Sequence, residues 1–256
     1  MTNPTSAVSS PGGFGVTLRR DLWWMGPLAT ATALFLFIVY STWRAFQGMH
    51  YEWGPYTSPF YSPQFPFPEF WPEWIPRSPA FLIVWAPAGF RLTCYYFRKV
   101  YYRAYFLDPP ACAVGERSKR RYKGETAFPF VLQNLHRYFL YVALALLVFH
   151  WHDVGLAFFF DDGFGVGVGS LVLLADTSLL TLYVCGCHAL RHLIGGNVDC
   201  FSCASLGGTR HKTWSLVSIL NRTHMFWAWT SLFMVGFADF YVSMVASGAW
   251  TDVRIF

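Results

Sequence analysis

The chain reads as an all-α integral membrane protein, a single bundle of five transmembrane helices. Three observations predict this. Hydrophobic residues make up 54% of its 256 residues and charged residues only 13%, about half the charged share of a soluble domain. Apolar runs of about 20 residues, the length that crosses a hydrocarbon core as helix, recur along the chain. Lys and Arg gather in alternate connections between these runs, the pattern that sets membrane topology.

A polar tail, residues 1–21, comes first and is expected to be disordered or amphipathic. The apolar run after it is too long for a signal-peptide core. The remaining residues, 22–256, form one domain. Its first span covers about 22–45 and is preceded by Arg19 and Arg20. The second, about 79–97, is short and carries Pro87 and Arg91. The third, fourth and fifth cover about 130–152, 168–194 and 216–246. Arg98, Lys99, Arg103, Arg117, Lys119, Arg120, Arg121 and Lys123 fall between spans two and three. Arg210, Lys212 and Arg222 fall between spans four and five, whereas the opposite loops carry Glu52, Glu69, Glu73, Asp161 and Asp162. By the positive-inside rule the N-terminus is cytoplasmic and the C-terminus outside. The loop from Gln47 to Ser78 is dense in Pro and aromatics. It is expected to lie flat over the outer face, its rings in the headgroup layer. The net charge of +5 belongs to this topology signal and gives no support to a nucleic-acid binder.

Chemistry concentrates after span four. The segment Cys185-Gly-Cys187-His188-Ala-Leu-Arg191-His192 is followed by Asp199-Cys200-Phe-Ser-Cys203. Residues four apart on a helix lie about 40° from each other, so His188 and His192 share a face. A Cys-x-x-Cys can close both sulfurs onto one metal. Two imidazoles and two thiolates are the ligand count of a Rieske-type [2Fe–2S] centre. Four of the six cysteines crowd here beside two histidines, which favours metal over a disulfide framework. Cys94 and Cys112 read as ordinary span and loop residues. A structural Cys2His2 zinc site is the competing reading, although the ligand order is the reverse of a zinc finger and zinc leaves the aromatic-rich bundle unexplained.

Haem is a second competitor. His136 and His150 stand 14 residues apart on span three, on one face and near opposite membrane surfaces. Partners for a second haem are lacking on the other helices, so two haems are not expected. A single inner b-haem on His136 with His188, His192 or His224 remains open. Asp176 and Asp239 lie within spans four and five, where ionisable groups are costly and often functional. They either pair, with each other or with Arg44, or serve a quinone or proton path. Asn134, His136, Arg137, Arg222 and His224 form a comparable polar group at the inner side. With the two aspartates, His136, Arg137, Arg222 and His224 are the candidate quinone-binding residues.

Three segments carry a resemblance. Gln133-Asn-Leu-His136-Arg137-Tyr138, Cys187-His188-Ala-Leu-Arg191-His192-Leu-Ile-Gly195-Gly196 and Asp239-Phe-Tyr241-Val-Ser-Met-Val-Ala-Ser-Gly248 resemble the membrane-anchor subunit of actinobacterial succinate dehydrogenase. More narrowly, they resemble the single-anchor class that lacks haem and embeds a Rieske-type [2Fe–2S] cluster. The likeness runs from span three to the C-terminus; the first 100 residues match in topology alone. It implies a multi-pass protein of the bacterial cell membrane. Flavoprotein and iron–sulfur subunits dock on its cytoplasmic face, and it passes their electrons to menaquinone or ubiquinone. The anchor has no catalytic activity of its own, and higher oligomers of the complex are compatible with it. His188 and His192 carry over as nitrogen ligands. The sulfurs are assigned to Cys200 and Cys203, with Cys185 and Cys187 as alternates. Histidine ligation supports the assignment, because it raises the potential from near −400 mV to roughly −150 to +300 mV, within reach of succinate electrons. His188 is expected about 9 Å inside the inner end of span four, at 1.5 Å per residue.

Overall fold

The computed structural model describes residues 13–117, 124–196 and 198–256. The first twelve residues of the expected tail, and Ser118 to Lys123 of the basic run, lie outside the described residues. The first helix, α1 (Met25–Gln47), ends where Gly48 takes a left-handed φ of 56° and returns its N–H to the Arg44 carbonyl. Glycine reaches that conformation without a Cβ penalty. The following loop carries a short hairpin, β1 (Glu52–Trp53) and β2 (Tyr56–Thr57), with Glu52 opposite Thr57. It does not simply lie flat. Tyr56 and Tyr61 are fully buried, so the loop plugs one end of the bundle, and Phe70 and Trp74 are among the aromatics left outside.

The expected second span is three short helices, α2 (Pro79–Ile83), α3 (Trp85–Thr93) and α4 (Tyr95–Tyr101), continued by a π-helical turn at Tyr102–Phe106. Pro87 has no N–H to continue the ladder from α2, and Cys94 is extended, with ψ 124°. A 3₁₀ stretch, Phe130–Leu135, runs into α5 (His136–Leu156). A second hairpin, β3 (Phe159–Phe160) and β4 (Gly163–Phe164), leads to α6 (Val168–Cys185). The expected fourth span therefore stops nine residues early. Gly186 ends it: a Cβ there would meet the Leu182 carbonyl oxygen at 2.9 Å and the Leu220 carbonyl oxygen at 3.2 Å. His188 consequently starts a new short helix, α7 (His188–Arg191), instead of lying within the span. A π turn, a 3₁₀ turn at Phe201–Cys203, α8 (Gly207–Arg222) and α9 (His224–Ala246) complete the chain. The expected fifth span thus divides at Thr223.

Among the described residues, four helical segments are long and apolar enough to cross a membrane: Met25–Gln47, Phe130–Leu156, Val168–Cys185 and His224–Ala246. Helix α6 packs along α9 and α5, and α3 packs against α5. Burial at the hairpin end centres on Tyr56, Val154, Leu173, Ala238 and Val242. At the opposite end it centres on Phe90, Leu140, Tyr183, Ala228 and Leu232.

Two carboxylates fasten the hairpin end. Asp239 is 0% exposed and Arg44 1%, with Nε to Oδ2 at 2.8 Å. The Tyr40 and Ser58 hydroxyls each donate to Asp239 at 2.6 Å. The pairing of Asp239 with Arg44 is thus present, and Asp176 takes no part in it. Asp252 accepts from the Tyr56 and Tyr241 hydroxyls and from the Gly169 N–H at the start of α6.

Candidate metal centre

The end of the bundle opposite the hairpins gathers two thiols and two imidazoles. Cys94, Cys187, His136 and His224 are all buried, at 2, 0, 9 and 1% exposure. Nε2 of His136 lies 3.1 Å from Sγ of Cys187, and Nε2 of His224 lies 3.5 Å from Sγ of Cys94. Cys94 and Cys187 belong to one buried cluster that also includes Phe90, Leu140 and Tyr183.

Each donor stands at a helix junction. Cys94 separates α3 from α4, and Cys187 separates α6 from α7. His136 is the first residue of α5 after its 3₁₀ approach, and His224 opens α9. Junctions leave backbone N–H groups free, and these favour negative charge. Cys187 Sγ accepts from the Ala189 N–H at 3.3 Å. The Tyr96 and Phe97 N–H groups face Cys94 in the same way. Close approach of α3 and α5 is possible because residue 89 is glycine: a Cβ there would lie 2.2 Å from the Phe139 ring.

Thr93 orients His136. Its hydroxyl donates to the Gly89 carbonyl at 2.6 Å. It therefore presents a lone pair to Nδ1 of His136 at 3.0 Å, which puts the ring proton on Nδ1 and leaves the Nε2 lone pair directed at Cys187. A ligating histidine is held in this way by a hydrogen bond at its other nitrogen. Among the described residues, the buried Nδ1 of His224 has no hydrogen-bond partner. Phe90 stacks on His136 at 4.6 Å and Tyr183 on His224 at 5.0 Å, so the ring faces are shielded from water.

The expected ligand set is not brought together. Cys200 and Cys203 are joined to each other as a disulfide in an exposed turn. His188 and His192 are exposed. They line the rim of a cleft of about 450 Å³ that also includes Gln133, Asn134, His136 and Arg137. Partial desolvation, then Arg191 and His192, holds the His188 imidazole below its usual range. Of the alternates, Cys187 is in the buried cluster, while Cys185 is only half-buried and stands apart as a free thiol.

The candidate quinone residues separate. His136 and His224 belong to the thiol–imidazole cluster, and Arg137 lines the cleft. Arg222 is exposed and outside the cleft lining. Asp239 is committed to Arg44. Asp176 is fully buried, and among the described residues neither of its oxygens has a hydrogen-bond partner. Cys94, which reads from sequence as an ordinary span residue, is a buried thiol beside His224. Its signal was indirect: a cysteine three residues after an arginine, in a span already interrupted by Pro87. A larger groove of about 810 Å³ between α1 and α9 is lined mainly by apolar side chains and lies away from this chemistry.

The family model described as actinobacterial succinate dehydrogenase subunit SdhC matches residues 25–248. The chain belongs to the SdhC family of actinobacterial succinate dehydrogenase. It is a membrane subunit of that enzyme. A chain of the Mycobacterium smegmatis Sdh1 complex in the apo form is 40% identical to this SdhC-family chain, with 94% of each chain covered and a TM-score of 0.81. No curated protein matches it. The likeness extends through α1 to α4, well beyond the region on which the sequence resemblance rested.

Among the described residues, no three His, Cys, Asp or Glu side chains group tightly enough to hold a single metal ion. The buried thiols and imidazoles instead form two Cys–His pairs. Two thiols and two imidazoles, buried and spread in this way, fit a two-iron centre in donor type and number.

Proposed function

We propose that this SdhC-family chain is the electron-relaying anchor of a succinate:quinone oxidoreductase, with Cys94, Cys187, His136 and His224 holding a Rieske-type [2Fe–2S] centre. The observation that carries this reading is the pair of buried Cys–His contacts, His136 with Cys187 and His224 with Cys94, with His136 oriented by Thr93. Such a centre, when bound, exchanges one electron at a potential that histidine ligation raises. The protein's own part is to supply the donors, aim backbone N–H groups at the sulfurs and exclude water. The proposed ligands differ from the expected His188, His192, Cys200 and Cys203, which are exposed.

The cleft at His136 is the proposed quinone site. It offers Arg137, Gln133, Asn134, His188 and His192 as hydrogen-bond partners for a quinone carbonyl, beside the buried donors. Flavoprotein and iron–sulfur subunits are the proposed partners, since the similar solved chain is part of an Sdh complex. The broken run α2–α4 is proposed as a fifth crossing. The N-terminus is then cytoplasmic, the C-terminus outside, and the protein multi-pass in the bacterial cell membrane. The basic connections put the partner subunits on the cytoplasmic face.

Metal and acid-labile sulfide analysis of the purified complex tests the reading. Two iron atoms and two sulfides per chain, beyond those of the partner subunits, are expected. Zinc without sulfide, or stoichiometric b-haem, would replace it with one of its competitors.

A further inference from the structure

Arg91 stands in α3, three residues before Cys94. Its guanidinium donates from Nη1 to the Ala228 carbonyl at 2.8 Å and from Nη2 to the Ser231 hydroxyl at 2.9 Å, both on α9. Its Cζ lies 4.5 Å from the centroid of the Tyr183 ring, and that ring stacks on His224 at 5.0 Å and 22°. Among the described residues, no carboxylate lies within ion-pair distance of it. Asp176, seven residues before Tyr183 on α6, acts on it only through space. A cation inside an apolar bundle is costly unless paired. This one is bonded to neutral oxygens, so no direct ion pair neutralises it.

We propose that Arg91 is a positioning charge that raises the electron affinity of the Cys94–Cys187–His136–His224 site. The proposal rests on the reading of that site as a [2Fe–2S] centre. Reduction brings in one electron from the iron–sulfur donor, adds one negative charge and breaks no covalent bond. A fixed positive charge nearby stabilises the reduced form, so the potential rises. The contact runs through Tyr183, whose ring meets the guanidinium at 4.5 Å and stacks on His224 at 5.0 Å. At a separation on the order of 10 Å and an effective dielectric of about 20, one charge changes the reduction equilibrium about tenfold. For a one-electron couple that is about 59 mV.

The test is an EPR-monitored redox titration of the intact complex with Arg91→Gln, Arg91→Lys and Ser231→Asp. Arg91→Gln should lower the midpoint about tenfold in equilibrium constant, while Arg91→Lys, which keeps the charge, should stay near the parent value. Ser231→Asp places a carboxylate beside the retained guanidinium, and it too should lower the midpoint. It decides the matter alone if Arg91→Gln does not assemble. An unmoved midpoint with the signal intact overturns the role of Arg91. Absence of any [2Fe–2S] signal in the parent complex, beyond those of the partner subunits, overturns the site reading instead.

Discussion

Nε2 of His136 meets Sγ of Cys187 at 3.1 Å, although the two residues are 51 apart in the chain. The contact depends on two local features. Gly186 ends α6 one residue before the cysteine, and Thr93 holds the far nitrogen of the imidazole. Each feature is open to a direct test.

Thr93→Val removes the oxygen that accepts from Nδ1 of His136. Loss of such an orienting partner typically weakens metal retention 10–100-fold. Iron retained per chain during chelator challenge should fall by about that factor, while Thr93→Ser, which keeps the hydroxyl, should behave as the parent. Equal retention in Thr93→Val and the parent would remove Thr93 from the site.

Gly89→Ala places a methyl group where the Phe139 ring now lies. Overpacking of this kind costs about 1–3 kcal/mol. The thermal unfolding temperature of the complex should drop, and adding Phe139→Ala in the same chain should recover part of the loss by opening the space. A Gly89→Ala protein as stable as the parent would mean that α3 and α5 are not held at this close approach.

Asp239→Asn should destabilise the hairpin end, because it leaves the Arg44 guanidinium buried without its counter-charge. Breaking one side of a buried pair costs about 3–5 kcal/mol. Tyr40→Phe removes a single neutral donor to the same carboxylate and should cost less, about 1.5–3 kcal/mol. Thermal unfolding in detergent ranks the two. The reverse order would show that Arg44 finds enough compensation from Gln47 Oε1 and the Met49 and His50 carbonyls.

The membrane class and most spans were legible because apolar length and charge placement are local properties of a sequence. The helix breaks were less so. Thr223 and Gly186 interrupt runs whose composition remains apolar on both sides, so spans four and five read as longer than they are. An unbroken helix would put His188 and His192 on a common inward face, whereas after the break at Gly186 both are exposed. His136 and His224 were visible as an inner polar group, and Cys187 as an alternate sulfur. Cys94 was not visible, because its role arises only when α3 packs against α5 and α9. The Cys-x-x-Cys at Cys200 and Cys203 drew attention by spacing alone, and spacing cannot show that the turn faces away from the bundle.

The ligand set is tested most directly by EPR of the reduced, purified complex, comparing serine variants at the two pairs of cysteines. Cys94→Ser and Cys187→Ser should each abolish the membrane-subunit [2Fe–2S] signal and its sulfide. Cys200→Ser and Cys203→Ser should leave both at the parent level. Loss of the signal in Cys200→Ser and Cys203→Ser, with retention in Cys94→Ser and Cys187→Ser, would contradict the account.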